Sequence, residues 1–140
     1  MKSRNFQNHL REDFLIFDGA MGTMLQAAGV EPGKNPVLLN LERTALITEI
    51  HRQYKAAGAN VITTNTFGAN RRKLEGSGKT PAEVIAAGIR AAREAAGEGA
   101  YVALDIGPIG ELMQPMGTLS PEDAYDIFKE QVDAAAGADL

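Results

Sequence analysis

Phe14-Leu15-Ile16-Phe17 is a run of four apolar side chains that ends in Asp18-Gly19-Ala20-Met21-Gly22-Thr23. A short, wholly apolar run closed by a Gly-bearing turn reads as a strand buried on both faces, the form strands take in parallel sheets. Polar chemistry begins where such a strand ends. A helix start over residues 19–23 would set free backbone N–H groups and the positive end of a helix dipole beside the Asp18 carboxylate. A corner of that kind holds a zwitterion, its anionic group on the N–H groups and its amine on Asp18. The plainer reading is a turn in which Asp18 caps the next helix.

The rest of the chain repeats the theme. Residues 1–13 read as a short N-terminal helix or arm, with Phe6 and Leu10 on one side. Met21, Met24, Leu25 and Ala28 recur at helical spacing up to Gly29, and 31–36 is a loop. Leu46, Ile47, Ile50, Tyr54 and Ala57 mark a helical face from Thr44 to Gly58, with His51 at its border as a packed or surface imidazole. Residues 60–70, NVITTNTFGAN, form a second buried strand with a polar tip at Thr63, Thr64, Asn65 and Thr66, which alternation distributes to both sides. Arg71, Arg72 and Lys73 open a solvated helix rather than a phosphate site.

Thr80-Pro81-Ala82-Glu83 carries an N-cap, a proline at the first helical position and a capping-box Glu, so a helix starts there and runs through Ile85, Ile89, Ala92 and Ala96 to Gly97. Residues 101–110, YVALDIGPIG, supply a third apolar strand, an Asp and a Gly/Pro turn. Ser120-Pro121 begins another helix, with Ala124, Phe128, Gln131/Val132 and Ala135 leading to Gly137. The sequence 135–140 then repeats the pattern of 56–61, which predicts the first residues of a fourth strand.

Strand and helix alternating at intervals of about 40 residues predict right-handed βαβ units on a parallel sheet, an α/β fold. The polar tips at Asp18, Thr66 and Asp105 then gather at the carboxyl ends of neighbouring strands, where such folds bind ligands. An open doubly wound sheet and part of a (β/α)8 TIM barrel both fit. No G-x-G-x-x-G follows a strand, which disfavours a dinucleotide site, and the sequence breaks off early in a repeating pattern, which favours the barrel. Outer strands of a partial barrel carry unpaired edges, so the isolated chain is expected to self-associate.

Composition narrows the function. Among 140 residues there are 14 Lys and Arg against 18 Asp and Glu, a net charge of −4 that offers no case for nucleic acid or an anionic membrane. Cysteine is absent and the two histidines are isolated, so neither a disulfide nor a thiolate metal site is expected here. With no apolar run long enough for a signal core or a span, the expected location is cytoplasmic.

Ile16-Phe17-Asp18-Gly19-Ala20-Met21-Gly22-Thr23, Thr64-Asn65-Thr66-Phe67-Gly68-Ala69-Asn70 and Asp105-Ile106-Gly107-Pro108-Ile109-Gly110, in that order, resemble the homocysteine S-methyltransferase family, and most of all its cobalamin-dependent members. The resemblance implies a partial (β/α)8 barrel: residues 14–140 as its N-terminal half, about three βα units and the start of strand 4. It implies methyl transfer to homocysteine sulfur, giving methionine. Asp18, Gly19 and Ala20 would contact the amino and carboxylate groups, Thr66 would share the pocket with Asn65 and Phe67 beside it, and Asp105 would contribute at the rim. The family also uses zinc held by three cysteines, which lowers the thiol's pKa from about 8.5 and presents the sulfur as a thiolate. Those ligands, and a further carboxylate for the amine, are expected beyond Leu140, so the isolated chain should be inactive. In the cobalamin-dependent branch methylcobalamin and methyltetrahydrofolate are handled by other domains. Relatives using betaine or methylmethionine, a noncatalytic half-barrel and an unrelated binder of small anions are the alternatives.

Overall fold

Three chain segments run side by side in one direction, and a fourth begins beside them. The computed structural model describes residues 6–33 and 35–140, so the first five residues of the expected arm and Lys34 of the expected loop lie outside it. The elements are α1 (Phe6–Glu12), α2 (Met21–Ala27), a 3-10 turn at Pro36–Leu38, α3 (Leu39–Glu42), α4 (Thr44–Ala56), β1 (Val61–Thr63), α5 (Pro81–Ala96), β2 (Tyr101–Ala103) and α6 (Pro121–Asp133). β1 and β2 are parallel, with Val61 opposite Tyr101 and Thr63 opposite Ala103. On the outer side of β1, Phe17 pairs in parallel with Val61, and the Asp18 amide donates to the Val61 carbonyl at 3.0 Å. Beyond β2, the Asp139 amide donates to Val102 at 2.8 Å and the Leu104 amide to Leu140 at 2.9 Å, the start of a fourth parallel segment.

α5 is the central layer because both of its faces have work to do. Val84, Ile85 and Ile89 pack with Val37, Ala69 and Leu74; Ala91 joins Leu25, Leu39, Ile47 and Ile50; Ala92 and Ala96 close on Ile62 and Val102. Burying one large aliphatic side chain is worth about 1.5–3 kcal/mol, so packing rather than propensity holds this helix in place. Its small residues let neighbouring backbones approach. Its start is fixed by the expected capping box: the Glu83 amide donates to Thr80 Oγ1, and the Thr80 amide donates to the Glu83 carboxylate at 2.9 Å. α6 begins in the same way, with Ser120 Oγ accepting from the Asp123 amide at 3.0 Å.

Four expectations are corrected. The run 14–17 is not buried on both faces: Phe14 is 86%, Ile16 57% and Phe17 54% exposed, and pairing is limited to one bridge. It lies at the sheet edge, where α1 covers only Leu15, which with Phe6 packs on Val61, Tyr101 and Ala103. The second strand ends at Thr63, and Thr64, Asn65 and Thr66 are all buried rather than alternating, because side-chain hydrogen bonds hold the chain after it leaves the sheet. Residues 71–78 are turns instead of a helix start, with Arg71 3.5 Å from Glu130 and Arg72 3.4 Å from Glu111. α6 stops at Asp133 and buries Ala124, Ile127 and Gln131, leaving Phe128 and Val132 exposed, since Ala124 and Ile127 pack on Ile109 and Leu119.

Candidate functional site

Past the carboxyl ends of β1 and β2 lies a cavity of about 390 Å3, the scale of small-molecule sites. Asn65, Thr66, Phe67 and Asp105 line it, together with Met21 and Gly22 at the start of α2, and Asn35 and Lys73. Asp18, Gly19 and Ala20 are not among its lining residues. Asp18 stands on the neighbouring segment, its side chain only 3% exposed, and both of its oxygens accept from the Thr63 amide, at 3.0 and 3.1 Å.

The turn after Asp18 is shaped by α4. Tyr54 Oη donates to the Ala20 carbonyl at 2.8 Å, and a Cβ on Gly19 would lie 2.8 Å from Tyr54 Cε1 and 2.9 Å from its oxygen. Only glycine lets that ring sit so close. The chain therefore turns from the sheet edge into α2 at a fixed angle.

The polar tip of β1 is organised by side-chain hydrogen bonds. The Asp105 amide donates to Thr64 Oγ1 at 3.1 Å, and Thr66 Oγ1 donates to the Asp105 carbonyl at 2.8 Å. The two threonine hydroxyls are 2.6 Å apart. Thr66 has one proton and gives it to Asp105, so Thr64 must be the donor of the pair, and the circuit closes on itself. Three asparagines complete the cradle. Asn65 Nδ2 donates to the Pro36 carbonyl at 2.9 Å and to Asn40 Oδ1 at 3.0 Å; Asn40 Nδ2 donates to the Asn65 carbonyl at 2.8 Å and the Val84 carbonyl at 3.2 Å; Asn35 Nδ2 reaches the Gly68 carbonyl at 3.1 Å. Asn35 and Asn40 were absent from the residues singled out by sequence, and the one local signal for them is Asn35-Pro36 opening a turn.

The lining carries one acidic and one basic side chain, Asp105 and Lys73, with Asp18 on the neighbouring segment. Burial raises the Asp18 carboxyl above its ordinary range, with the hydrogen bonds from Thr63 opposing it. Asp105 is raised as well, first by burial and then by the Asp18 charge. The Asp18 charge raises the cost of ionising Asp105, which leaves a place for a cation beside Asp105. The Lys73 ammonium, also in the lining, lies 5.2 Å from the centre of the Phe67 ring. His51 stands behind Asp18, fully buried, with Nδ1 3.9 Å from Asp18 Oδ2.

The sequence profile described as homocysteine S-methyltransferase matches residues 15–140. The chain belongs to that family. Among its homocysteine S-methyltransferase relatives, the methionine synthase of Mycobacterium tuberculosis is 44% identical over 73 residues, 46% of this chain and 6% of that protein. Betaine–homocysteine S-methyltransferase 1 of Danio rerio is 31% identical over 126 residues, 86% of this chain and 31% of that enzyme. The crystal structure of the Escherichia coli homocysteine methyltransferase MmuM, in its metallated form, superposes with a TM-score of 0.82 at 25% identity, covering 98% of this chain and 56% of that one. The chain thus corresponds to a portion of each relative. Zinc does not fit the residues present: the described residues contain no group of three or more His, Cys, Asp or Glu placed to hold a metal, and the sequence has no cysteine.

Proposed function

We propose that these residues form the homocysteine-binding region of a methyltransferase that moves a methyl group onto homocysteine sulfur to give methionine. The observation that carries this reading is a cavity lined by both Asp105, raised by burial and by the Asp18 charge behind it, and Lys73. The substrate ammonium would sit at Asp105, with the buried Asp18 carboxylate behind it as a second negative charge, and relieve the cost that Asp18 imposes on ionising Asp105. Its carboxylate would lie toward the start of α2, where Met21 and Gly22 line the cavity, with Lys73 supplying positive charge at the rim. Gly19 and Ala20 would place the turn, and Asn65, Thr66 and Phe67 would form the floor and wall. These residues bind and orient the amino acid; they do not activate its sulfur.

In this reading 14–140 is the N-terminal half of a (β/α)8 barrel preceded by the arm 1–13, and the protein works in the cytoplasm. The metal implied by the family would be zinc, and the methyl donor methylcobalamin, recharged from methyltetrahydrofolate on other domains. A second reading is favoured by the match to the betaine enzyme, which extends over more of the chain than the methionine synthase match: the same amino-acid site served by another methyl donor.

The test is calorimetric titration of L-homocysteine into the full-length protein and its Asp18→Asn variant, followed by turnover with methylcobalamin and with betaine. Binding that Asp18→Asn weakens supports the site, and the donor that turns over chooses between the readings. Equal affinity in both proteins would remove Asp18 from the site.

A further inference from the structure

The described residue whose chemistry is least explained by packing is His51. It lies on α4, is fully buried, and neither ring nitrogen has a hydrogen-bond partner. Thr48, one turn earlier on the same face, is also buried with its hydroxyl unpartnered. Buried polar atoms are nearly always satisfied, and leaving a donor unmet in the interior is costly, so the orphaned imidazole calls for a partner in some other state of the protein. The ring's Nδ1 points at Asp18 Oδ2 across 3.9 Å, too long for a hydrogen bond and about 1 Å from being one. Both Asp18 oxygens already share the Thr63 amide as donor, so the carboxylate is anchored there and can still accept a further hydrogen bond.

Burial lowers the His51 pKa to about 4, so at neutral pH the ring is uncharged and can donate from one nitrogen without bringing a second charge into the interior. A neutral donor suits a carboxylate that must remain free to neutralise a cation. A protonated imidazole would compete with that cation.

We infer that His51 is a positioning residue for Asp18: its Nδ1–H closes onto Asp18 Oδ2 when a primary ammonium binds at Asp105, and so fixes the Asp18 carboxylate behind the bound amine. The inference rests on the reading of Asp18 as the amine's partner. It assigns His51 the Nδ1–H tautomer and makes α4, through His51 and Tyr54, the element that sets the geometry of the Asp18 turn.

The experiment uses the full-length protein with L-homocysteine as the probe, comparing Asp18→Asn, His51→Leu and His51→Asn. Asn can place its amide nitrogen near the position of Nδ1, whereas Leu fills the volume without a donor. Loss of one hydrogen bond to a charged group predicts a KM about tenfold higher in His51→Leu with kcat little changed, and recovery to within about threefold of wild type in His51→Asn. In the unmodified protein, 15N-labelled imidazole should report a neutral ring protonated on Nδ1, with that proton moving downfield when homocysteine is added. If Asp18→Asn raises KM and His51→Leu does not, the positioning role is overturned while the amine site stands. If Asp18→Asn has no effect, the amine site falls and this inference with it. Equal losses in both His51 variants, with an imidazole spectrum unmoved by homocysteine, would make the residue structural and overturn the proposal.

Discussion

Thr66 Oγ1 donates to the Asp105 main-chain carbonyl at 2.8 Å, and so joins the ends of β1 and β2 at the point where the cavity opens. The bond belongs to a closed circuit of Asp105 N–H, Thr64 hydroxyl, Thr66 hydroxyl and Asp105 carbonyl. Thr66→Val keeps the shape and deletes the hydroxyl, leaving the Asp105 carbonyl and the Thr64 proton unmet. The expected loss is about 1–3 kcal/mol of stability by urea denaturation, with a raised KM for homocysteine. An unchanged denaturation midpoint would show that water replaces the hydroxyl.

Asp18→Asn should act in opposite directions on binding and on stability. The ionised carboxylate is disfavoured by burial, so its neutral isostere should unfold at a higher temperature at pH 7, while homocysteine binding weakens by about 1.5–3 kcal/mol through loss of the charge partner. Calorimetry on the free and ligand-bound protein measures both. A variant less stable than wild type would mean that its bonds to Thr63 outweigh the cost of burial.

Acid should destabilise the fold in a window set by His51. Its pKa falls from 6.5 to about 4 on folding, so the unfolded chain takes up the proton first as pH drops. The stabilising contribution is complete above pH 6.5 and is lost progressively down to about pH 4, a change of about 3 kcal/mol. Asp18 and Asp105, whose pKa values are raised, act with the reverse sign: protonating them relieves the fold. His51→Leu should flatten the decline between pH 6.5 and 4 in thermal melts, and an unaltered slope would place the titrating group elsewhere.

Gly88→Ala tests whether packing overrides propensity. Alanine inside a helix normally gains about 1 kcal/mol over glycine. Here the new methyl would lie 2.8 Å from Asn40 Nδ2 and 2.9 Å from Thr66 Cγ2, so the sign should reverse and the site should be disturbed with it. Urea denaturation and homocysteine titration of the variant decide the matter; a stabilised protein with normal binding would show that Asn40 yields freely.

Residues 1–140 expressed alone should self-associate through the exposed edge at Phe14, Ile16 and Phe17. Sedimentation velocity should show species larger than a monomer, and Ile16→Lys should shift the distribution toward the monomer. A monodisperse monomer that unfolds cooperatively would overturn this expectation.

The parts of this fold that were legible in sequence are those fixed by near neighbours. Thr80-Pro81-Ala82-Glu83 determines a helix start within four residues, and the Gly58 stop works through one backbone angle. Parallel order followed from alternation of strand and helix. Burial of residues 14–17 was not legible, because an apolar run is buried only where some other segment covers it, and here the open edge leaves Phe14 in solvent. The face of α6 was not legible for a related reason: Ile127 and Phe128 are adjacent, and only the position of Ile109 and Leu119 selects between them. Thr66 and Asp105, which line the cavity, follow apolar runs in the sequence, whereas Asp18, at the end of the first such run, lies outside the lining. Asn35 and Asn40 could not be read from the sequence, since their partners lie 25 to 44 residues away and amide side chains in a loop carry no period.

Asn40 grips two carbonyls at once, that of Asn65 under the cavity and that of Val84 in the first turn of α5. A small displacement of that helix would therefore be felt at the cavity floor without any lining residue being altered. Natural variants that differ only in how α5 seats on its neighbours can be expected to differ in which amino acids they accept, and a search for altered selectivity should begin under the pocket as well as inside it.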